Sequence, residues 1–259
     1  MGESIPTSTG GQGRTIRWIP LESNPDMLNS LMYRLGVPKT WAFTDVWGLD
    51  PDLLTMVPQP CLAVLLLFPL TPAYEAHEQQ QRLLREQRSM TSESSPPLPG
   101  TMLGHNRGQN SLFYMKQTIG NACGTVAVLH ALANSTDIIS LEPGPLQEFL
   151  NRARDLTPVQ RAKLLEKSAD IAEAHSSAAT EEGQTGAPSA DSRLNLHFVC
   201  LVGNNGRLYE LDGRKSAPVD HGPSADLLTT AARVTREFMA RDPENIQFNI
   251  VALTPAPDY

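Results

Sequence analysis

One cysteine of this chain lies in the stretch QTIGNACGT (117–125), directly ahead of the helical apolar pattern VAVLHALA. Asn121 is a residue type that caps helices, so we expect the helix to begin there, with Cys123 in its first turn. In that turn the free backbone N–H groups and the helix dipole stabilise a thiolate and lower the pKa of the thiol. Cys123 is therefore a candidate nucleophile, although a single cysteine on a helix is more often a small packing residue.

The other two cysteines, Cys61 and Cys200, lie inside apolar segments, and we expect both to be packing residues. Three widely spaced cysteines without a CxxC pair argue against a disulfide framework and against a zinc site. The N-terminus has no apolar segment typical of a secretory signal. We therefore expect a reducing compartment, the cytoplasm or the nucleus.

A cysteine nucleophile needs a base, and the chain has six histidines. His130 lies seven residues after Cys123, about 10.5 Å along a helix, which is too far for a hydrogen bond. His197 is the better candidate because it interrupts the apolar strand LNLHFVCLV (194–202), where a polar side chain needs a partner. The alternative is a hydrogen-bonded core histidine without a chemical role.

The strand that carries His197 is followed by the turn signal GNNG and by a second strand, RLYELD (207–212). If Gly203 faces Gly206 in this hairpin, His197 faces Asp212 at a separation that a hydrogen bond can span. Asp212 would then orient the imidazole, as the third member of a triad does. A longer loop would shift the register and break the pairing, and Asp212 would then be a turn residue.

Gln117 precedes the nucleophile and carries a side-chain amide. Together with the backbone N–H of Cys123, this amide can donate to a developing oxyanion. Without the cysteine, the simpler interpretation would be a surface glutamine. The set of Cys123, His197, Asp212 and Gln117 indicates a Cys-His-Asp thiol hydrolase.

These residues must be positioned by elements that mix helices with strands. CLAVLLLF (61–68) is an uninterrupted apolar run and predicts a central strand buried on both faces. TIRWIPLES (15–23) predicts an edge strand, since its proline excludes a central one. TPVQRAKLLEKSADIAEA (157–174) predicts one helix. We expect a single α/β domain over 14–259, with a largely antiparallel sheet flanked by helices.

Other segments lack an apolar pattern. Residues 1–13 are rich in Gly, Ser and Thr and predict a disordered extension. Residues 91–110 are rich in Ser, Pro and Gly and predict an insertion loop. Residues 175–193 contain no large apolar side chain and predict a long polar loop, and VDHGP (219–223) has the composition of a turn.

The formal net charge of −7 argues against binding to nucleic acid, which needs clustered Lys and Arg. The longest apolar run, LAVLLLF, is far too short to cross a membrane. We therefore expect neither nucleic acid nor a membrane as a partner.

Several motifs of this chain resemble the ubiquitin carboxyl-terminal hydrolase family of small cysteine deubiquitinases, and within it the isozyme-three-like and fungal members. The resemblance extends from Arg17 to Leu253. It includes RWIPLESNP, MVPQPCLAVLLLFP, FYMKQTIGNACGT, EGQTGAPSAD and LYELDGRK.

The resemblance implies a papain-like α/β/α domain with a central, largely antiparallel sheet. It also implies a knotted backbone, an exception to the rule against threaded chains. The family's nucleophile, base and third triad member fall on Cys123, His197 and Asp212, and its oxyanion glutamine falls on Gln117. Its active-site crossover loop corresponds to 175–193.

The implied activity is hydrolysis of ester, thioester, amide or peptide bonds at the terminal glycine of ubiquitin, without a metal or an organic cofactor. A loop strung across the cleft would admit small or unstructured leaving groups and block folded ones. We expect a monomer with ubiquitin as its partner. Two alternatives are a hydrolase for a related ubiquitin-like modifier and a non-catalytic ubiquitin-binding protein.

Overall fold

The computed structural model describes residues 16–91, 112–180 and 195–257. The predicted N-terminal extension, all but the first residue of the insertion loop, and most of the crossover loop lie outside these ranges. No helix within them is long and apolar enough to cross a membrane.

In the part of the chain that the structure describes, six strands form one sheet at the centre of the fold. They are β1 (Trp41–Asp45), β2 (Ala63–Pro69), β3 (Leu196–Asn204), β4 (Arg207–Leu211), β5 (Val219–Pro223) and β6 (Asn249–Pro255). Their order across the sheet is β1-β6-β2-β3-β4-β5, and each neighbouring pair is antiparallel. The predicted antiparallel sheet is therefore confirmed.

The predicted central strand is β2, which pairs with β3 on one side and with β6 on the other. Its side chains alternate between two hydrophobic clusters. Leu65 belongs to the first cluster, whereas Val64, Leu66 and Phe68 belong to the second. A strand with an apolar layer on each face needs the uninterrupted apolar sequence observed here.

Eight helices surround the sheet in the described residues. They are α1 (Pro25–Arg34), α2 (Pro51–Leu54), α3 (Pro72–Thr91), α4 (Cys123–Ala133), α5 (Pro145–Ala153), α6 (Pro158–Leu165), α7 (Ala169–Thr180) and α8 (Leu227–Met239). The first cluster takes buried residues from α1 and from α4 to α7, and the second takes them from α3 and α8. Helices thus cover both faces, which confirms the α/β/α layers. The knotted path stays a prediction, because residues 181–194 lie outside the described ranges.

The predicted helix over 157–174 is wrong, because α6 and α7 are separate. Thr157 and Gln160 form a capping box at the start of α6, with N···O distances of 3.3 and 2.9 Å. At its end, the Ser168 hydroxyl donates to the Leu164 carbonyl at 2.8 Å. A serine that hydrogen-bonds backbone in this way competes with the helical ladder, and α7 begins at the next residue.

The crossover loop does not begin at residue 175 as predicted, because α7 continues to Thr180. Its last turns bury His175, Ala178 and Ala179, which lie 2%, 0% and 0% exposed. The polar composition suggested a loop. The small alanine side chains nevertheless allow the helix to pack closely, and His175 forms hydrogen bonds with residues that are distant in sequence.

The segment 15–23 is not an edge strand. Its described residues make one parallel bridge, between Arg17 and Gly120. The Trp18 N–H donates to the Gly120 carbonyl and the Gly120 N–H donates to the Ile16 carbonyl, both at 2.9 Å. The backbone groups of Ile16 and Trp18 therefore pair with the loop before α4.

The edge strand β5 was not predicted, because its sequence VDHGP has the composition of a turn. It pairs with β4 through an irregular register between Arg207 and Tyr209. Gly222 has a φ of +93° there, which glycine adopts readily, and Asp220 accepts from Arg207 at 2.8 Å.

Candidate active site

Cys123 is the first residue of α4 and is partly exposed. The predicted cap is wrong: Ala122 occupies the N-cap position. Asn121 instead adopts a left-handed φ of +61°, which asparagine tolerates, and its side-chain amide donates to the Trp18 carbonyl at 3.2 Å. Cys123 nevertheless lies in the first turn as predicted, where the N–H groups have no intrahelical acceptor.

His197 and Asp212 form a buried pair, with Nε2 of the imidazole 2.8 Å from Oδ1 of the carboxylate. Because an ionised carboxylate only accepts hydrogen bonds, Nε2 carries the proton and donates it. Nδ1 is then left for Cys123, whose side chain forms a hydrogen bond with the imidazole. The backbone N–H of Arg214 also donates to Oδ1, at 2.8 Å.

The hydrogen bonds that connect Cys123, His197 and Asp212 shift the pKa values of the imidazole and the thiol. Burial alone would lower the pKa of His197, but its hydrogen bonds to Asp212 and Cys123 raise that pKa to about 9. Burial alone would raise the pKa of the Cys123 thiol, but the hydrogen bond and charge of His197 lower it below its usual value. These opposite shifts favour a thiolate–imidazolium pair at neutral pH.

The hairpin that brings His197 to Asp212 has a different register from the predicted one. Asn204 pairs with Arg207, and the two-residue loop is Asn205-Gly206, with φ values of +49° and +70°. Asn-Gly is the pair that such a turn prefers, since both residues need positive φ. The observed register differs from the prediction by two residues, which leaves every side chain on the same face. The contact is therefore present although the register is wrong.

Gln117 lies against the loop that follows Asp212. Its backbone N–H donates to the Gly213 carbonyl at 3.0 Å, and its side-chain amide donates to the Ile119 carbonyl at 3.2 Å. A Cβ added to Gly213 would lie 2.8 Å from the Cβ of Gln117 and 3.3 Å from Val126 of α4. This close approach places Gln117 beside both Asp212 and α4, the helix that Cys123 begins.

A family model described as "Ubiquitin carboxyl-terminal hydrolase, family 1" matches residues 18–240 of this chain. The chain belongs to the ubiquitin carboxyl-terminal hydrolase family. An Aplysia californica ubiquitin carboxyl-terminal hydrolase is 48% identical over 231 residues, which cover 88% of this chain and 97% of that protein. The Drosophila melanogaster hydrolase is 40% identical, covering 93% and 99%. Isozyme L1 of Rattus norvegicus is 42% identical, covering 92% and 98%.

A solved structure related to the family shares this fold. The catalytic domain of Trichinella spiralis UCH37, bound to ubiquitin vinyl methyl ester, superposes with a TM-score of 0.69 at 23% sequence identity. The match covers 92% of this chain and 95% of that one. It confirms the hydrolase fold that the resemblance implied.

His130, which lies in the same helix as Cys123, is a core residue, as predicted. His130 is fully buried, its Nε2 accepts from the Met115 N–H at 3.1 Å, and its ring stacks on Tyr114 with centroids 5.4 Å apart. Burial lowers its pKa to about 4.

The other two cysteines are also buried, as predicted for packing residues. Burial raises the pKa of Cys61 to about 12 and that of Cys200 well above its usual value.

Two residues that support the candidate site were not found from the sequence. The Tyr114 hydroxyl lies 2.8 Å from the Asp212 carbonyl and 2.5 Å from the Lys215 carbonyl. The Lys116 ammonium donates to the carbonyls of Arg214 and Lys215. Both hold the loop after Asp212, and their only sequence signal is their place just before Gln117.

The described residues contain no group of three or more His, Cys, Asp or Glu side chains that could hold a metal ion.

Proposed function

We propose that this member of the family hydrolyses bonds at the C-terminal glycine of ubiquitin, with Cys123 as nucleophile, His197 as base and Asp212 as the group that orients the base. The observation that carries the proposal is the chain of hydrogen bonds from Cys123 through His197 to Asp212. The lowered pKa of the thiol and the raised pKa of the imidazole provide the thiolate that such a reaction needs.

In the proposed reaction, the Cys123 thiolate adds to the carbonyl carbon of the terminal glycine. The oxyanion accepts from the Cys123 N–H and from the amide of Gln117, which exchanges its bond to Ile119 for this one. Nδ1–H of His197 then protonates the leaving amine, and a thioester remains. His197 next takes a proton from water, whose oxygen attacks the thioester. The C–S bond breaks and restores the thiolate beside the imidazolium, and the new carboxyl group of ubiquitin loses its proton to solvent.

An acidic hollow beside the N-terminal segment that packs against α4 supports ubiquitin as the partner. Leu21 packs against Gly124, and the hollow begins one residue later, lined by Glu22, Asp26 and Asp45 among others. The tail of ubiquitin carries arginines, which carboxylates complement. The tail would therefore approach Cys123 along this hollow.

An apolar hollow adjoins the acidic one, because Asp45 and Asn249 line both. Its lining includes Trp47, Met239 and Phe248, and Trp47 is 74% exposed. An exposed aromatic beside an apolar hollow is typical of a protein-binding surface. The folded body of ubiquitin would cover it, so Trp47→Ala should raise KM and leave kcat nearly unchanged.

Hydrolysis of ubiquitin carrying a fluorogenic amine at its C-terminus tests the proposed chemistry. Cys123→Ala should abolish turnover and keep ubiquitin binding, because only the sulfur is lost. Cys61→Ala and Cys200→Ala are matched controls that should keep turnover, with a stability cost of about 1–2 kcal/mol from lost packing. Turnover in Cys123→Ala would overturn the assignment. The same assay with ubiquitin-like proteins decides between ubiquitin and a related modifier.

The preference for small or unstructured leaving groups depends on residues 181–193, outside the described ranges, and stays a prediction. We further propose that the enzyme is a monomer of the cytoplasm or the nucleus that acts in ubiquitin-dependent protein turnover. Its three free cysteines and its composition support that location. Light scattering and imaging of the tagged protein test these two proposals.

A further inference from the structure

The first turn of α4 carries the nucleophile, yet the residue at its N-cap position makes no side-chain cap. Ala122 occupies the N-cap position and offers no hydrogen-bonding group. The turn is instead held from outside by the N-terminal segment, residues 16–21. Backbone hydrogen bonds join this segment to Gly120, and Leu21 packs against Gly124.

His175 of α7 connects this N-terminal segment to the same helical turn. Its Nδ1 lies 2.7 Å from the Thr125 hydroxyl, and its Nε2 lies 2.9 Å from the Ile19 carbonyl. Its ring packs on Trp18, with centroids 4.4 Å apart. His175 is 2% exposed and Thr125 is fully buried, so water does not compete for these bonds.

The two hydrogen bonds of His175 fix its tautomer. A carbonyl oxygen only accepts, so Nε2–H donates to Ile19, and Nδ1 accepts from the Thr125 O–H. Burial lowers the pKa of His175 to about 4, which keeps the ring neutral at neutral pH and preserves this pattern. The imidazole thus bridges the N-terminal segment and a residue two positions after Cys123.

We infer that His175 is a positioning residue, which holds the first turn of α4 and thereby the Cys123 sulfur in the geometry that His197 requires. This inference rests on the proposed function, because it assigns the bridge a purpose in the chemistry of Cys123. In the described residues, the hydrogen bonds of His175 go to Thr125 and Ile19 and not to the triad side chains or Gln117, so its effect passes through Thr125 and the N-terminal segment.

A purely structural role predicts a different result. A buried bridge that only stabilises the fold would lower the melting temperature when it is removed, and the folded molecules would react normally. A bridge that positions Cys123 also changes the thiolate in the folded molecules. A displaced sulfur loses part of its hydrogen bond to His197, which raises the pKa of the thiol and lowers kcat.

Thr125→Val is the most informative variant, because valine keeps the shape and removes the hydroxyl. Thr235→Val is its matched control. Thr235 is also a fully buried helical threonine, but it lies in α8, and its hydroxyl donates to Ala231 at 2.9 Å. We expect Thr125→Val to lower kcat about tenfold, change KM less than about twofold, and raise the pH midpoint of Cys123 alkylation by iodoacetamide. Thr235→Val should leave all three unchanged.

Two substitutions at His175 separate its two bonds. Asparagine places a polar group where Nδ1 lies and can keep the bond to Thr125, whereas glutamine places one where Nε2 lies and can keep the bond to Ile19. We expect His175→Asn to recover most of the kcat lost in His175→Ala, and His175→Gln to recover less.

If folded Thr125→Val and His175 variants keep wild-type kcat and the wild-type alkylation midpoint, His175 is a structural residue and the inference is overturned. Alkylation needs no ubiquitin, so this result is independent of the substrate. A failure of the proposed function would appear separately, as turnover that survives in Cys123→Ala.

Discussion

Acidification should destabilise this protein well before its carboxylates are protonated, because two buried histidines stay neutral in the fold. Burial lowers the pKa of both His130 and His175 from 6.5 to about 4. Above pH 6.5 the imidazole is neutral in the folded and the unfolded chain, and stability does not depend on it. Between pH 6.5 and about pH 4 the unfolded chain binds a proton that the fold excludes, so stability falls as the pH falls.

The size of this effect follows from the two pKa values. A shift from 6.5 to about 4 corresponds to roughly 3 kcal/mol for each histidine when the transition is complete. At about pH 5 roughly 2 kcal/mol of this is already lost for each, or about 4 kcal/mol for the pair. That loss is a large part of the roughly 5–15 kcal/mol that stabilises a typical domain.

His130→Gln isolates one of these histidines. The glutamine oxygen can accept from the Met115 N–H as Nε2 does, but it does not titrate. The Cys123–His197 pair titrates alike in the wild type and the variant. Its contribution to the free energy of unfolding therefore cancels when the two proteins are compared. Urea unfolding at about pH 7.5 and about pH 5 should show the variant gaining about 2 kcal/mol on the wild type between the two conditions.

The partly buried His77 provides the matched control, and His77→Gln should show a smaller pH-dependent difference. The reasoning is refuted if the difference in unfolding free energy between wild type and His130→Gln is the same at both pH values. That outcome would mean that His130 has the same pKa in the folded protein as in the unfolded chain and is therefore protonated at about pH 5. Its assignment as a neutral core residue would then be wrong.

Three further predictions concern the site and its loops. His197→Ala should lower kcat at least about 10³-fold with fluorogenic ubiquitin, and a loss below tenfold would contradict its role as the base. Gly213→Ala should lower both kcat and the melting temperature, because its Cβ would lie 2.8 Å from that of Gln117. Gly203→Ala, whose Cβ meets only Leu227 at 3.4 Å, should be tolerated. Inserting about ten Gly and Ser residues after Gly186 should cost little stability and raise cleavage of diubiquitin several-fold, and no gain would exclude a size filter there.

Local sequence rules predicted the elements whose formation depends on their own residues. The apolar run of β2 permits little but a buried central strand, and Thr157 with Gln160 forms the capping box at α6. The contact between His197 and Asp212 was also predictable, since a polar residue in an apolar strand needs a partner. Its register was predicted wrongly, because GNNG offers more than one two-residue turn and the loop that forms is Asn-Gly, the pair that such a turn prefers.

Other features depend on partners far away in sequence and could not be read locally. Asn121 has the residue type of a cap, but its side-chain amide donates to the carbonyl of Trp18, about a hundred residues earlier in the chain. His175 lies in a stretch of small polar residues, and its burial depends on Thr125, Ile19 and Trp18, which are all distant in sequence. The strand β5 has the composition of a turn and forms because β4 offers it an open edge.

The central claim is that Cys123 is the nucleophile for the C-terminal glycine of ubiquitin. Its most direct test is reaction of the protein with ubiquitin that carries a C-terminal vinyl methyl ester, followed by mass spectrometry of the digested adduct. The account predicts one ubiquitin per chain on the peptide that contains Cys123, no adduct in Cys123→Ala, and a normal adduct in Cys61→Ala. A folded wild-type protein that forms no adduct, or forms it at another residue, would contradict the account.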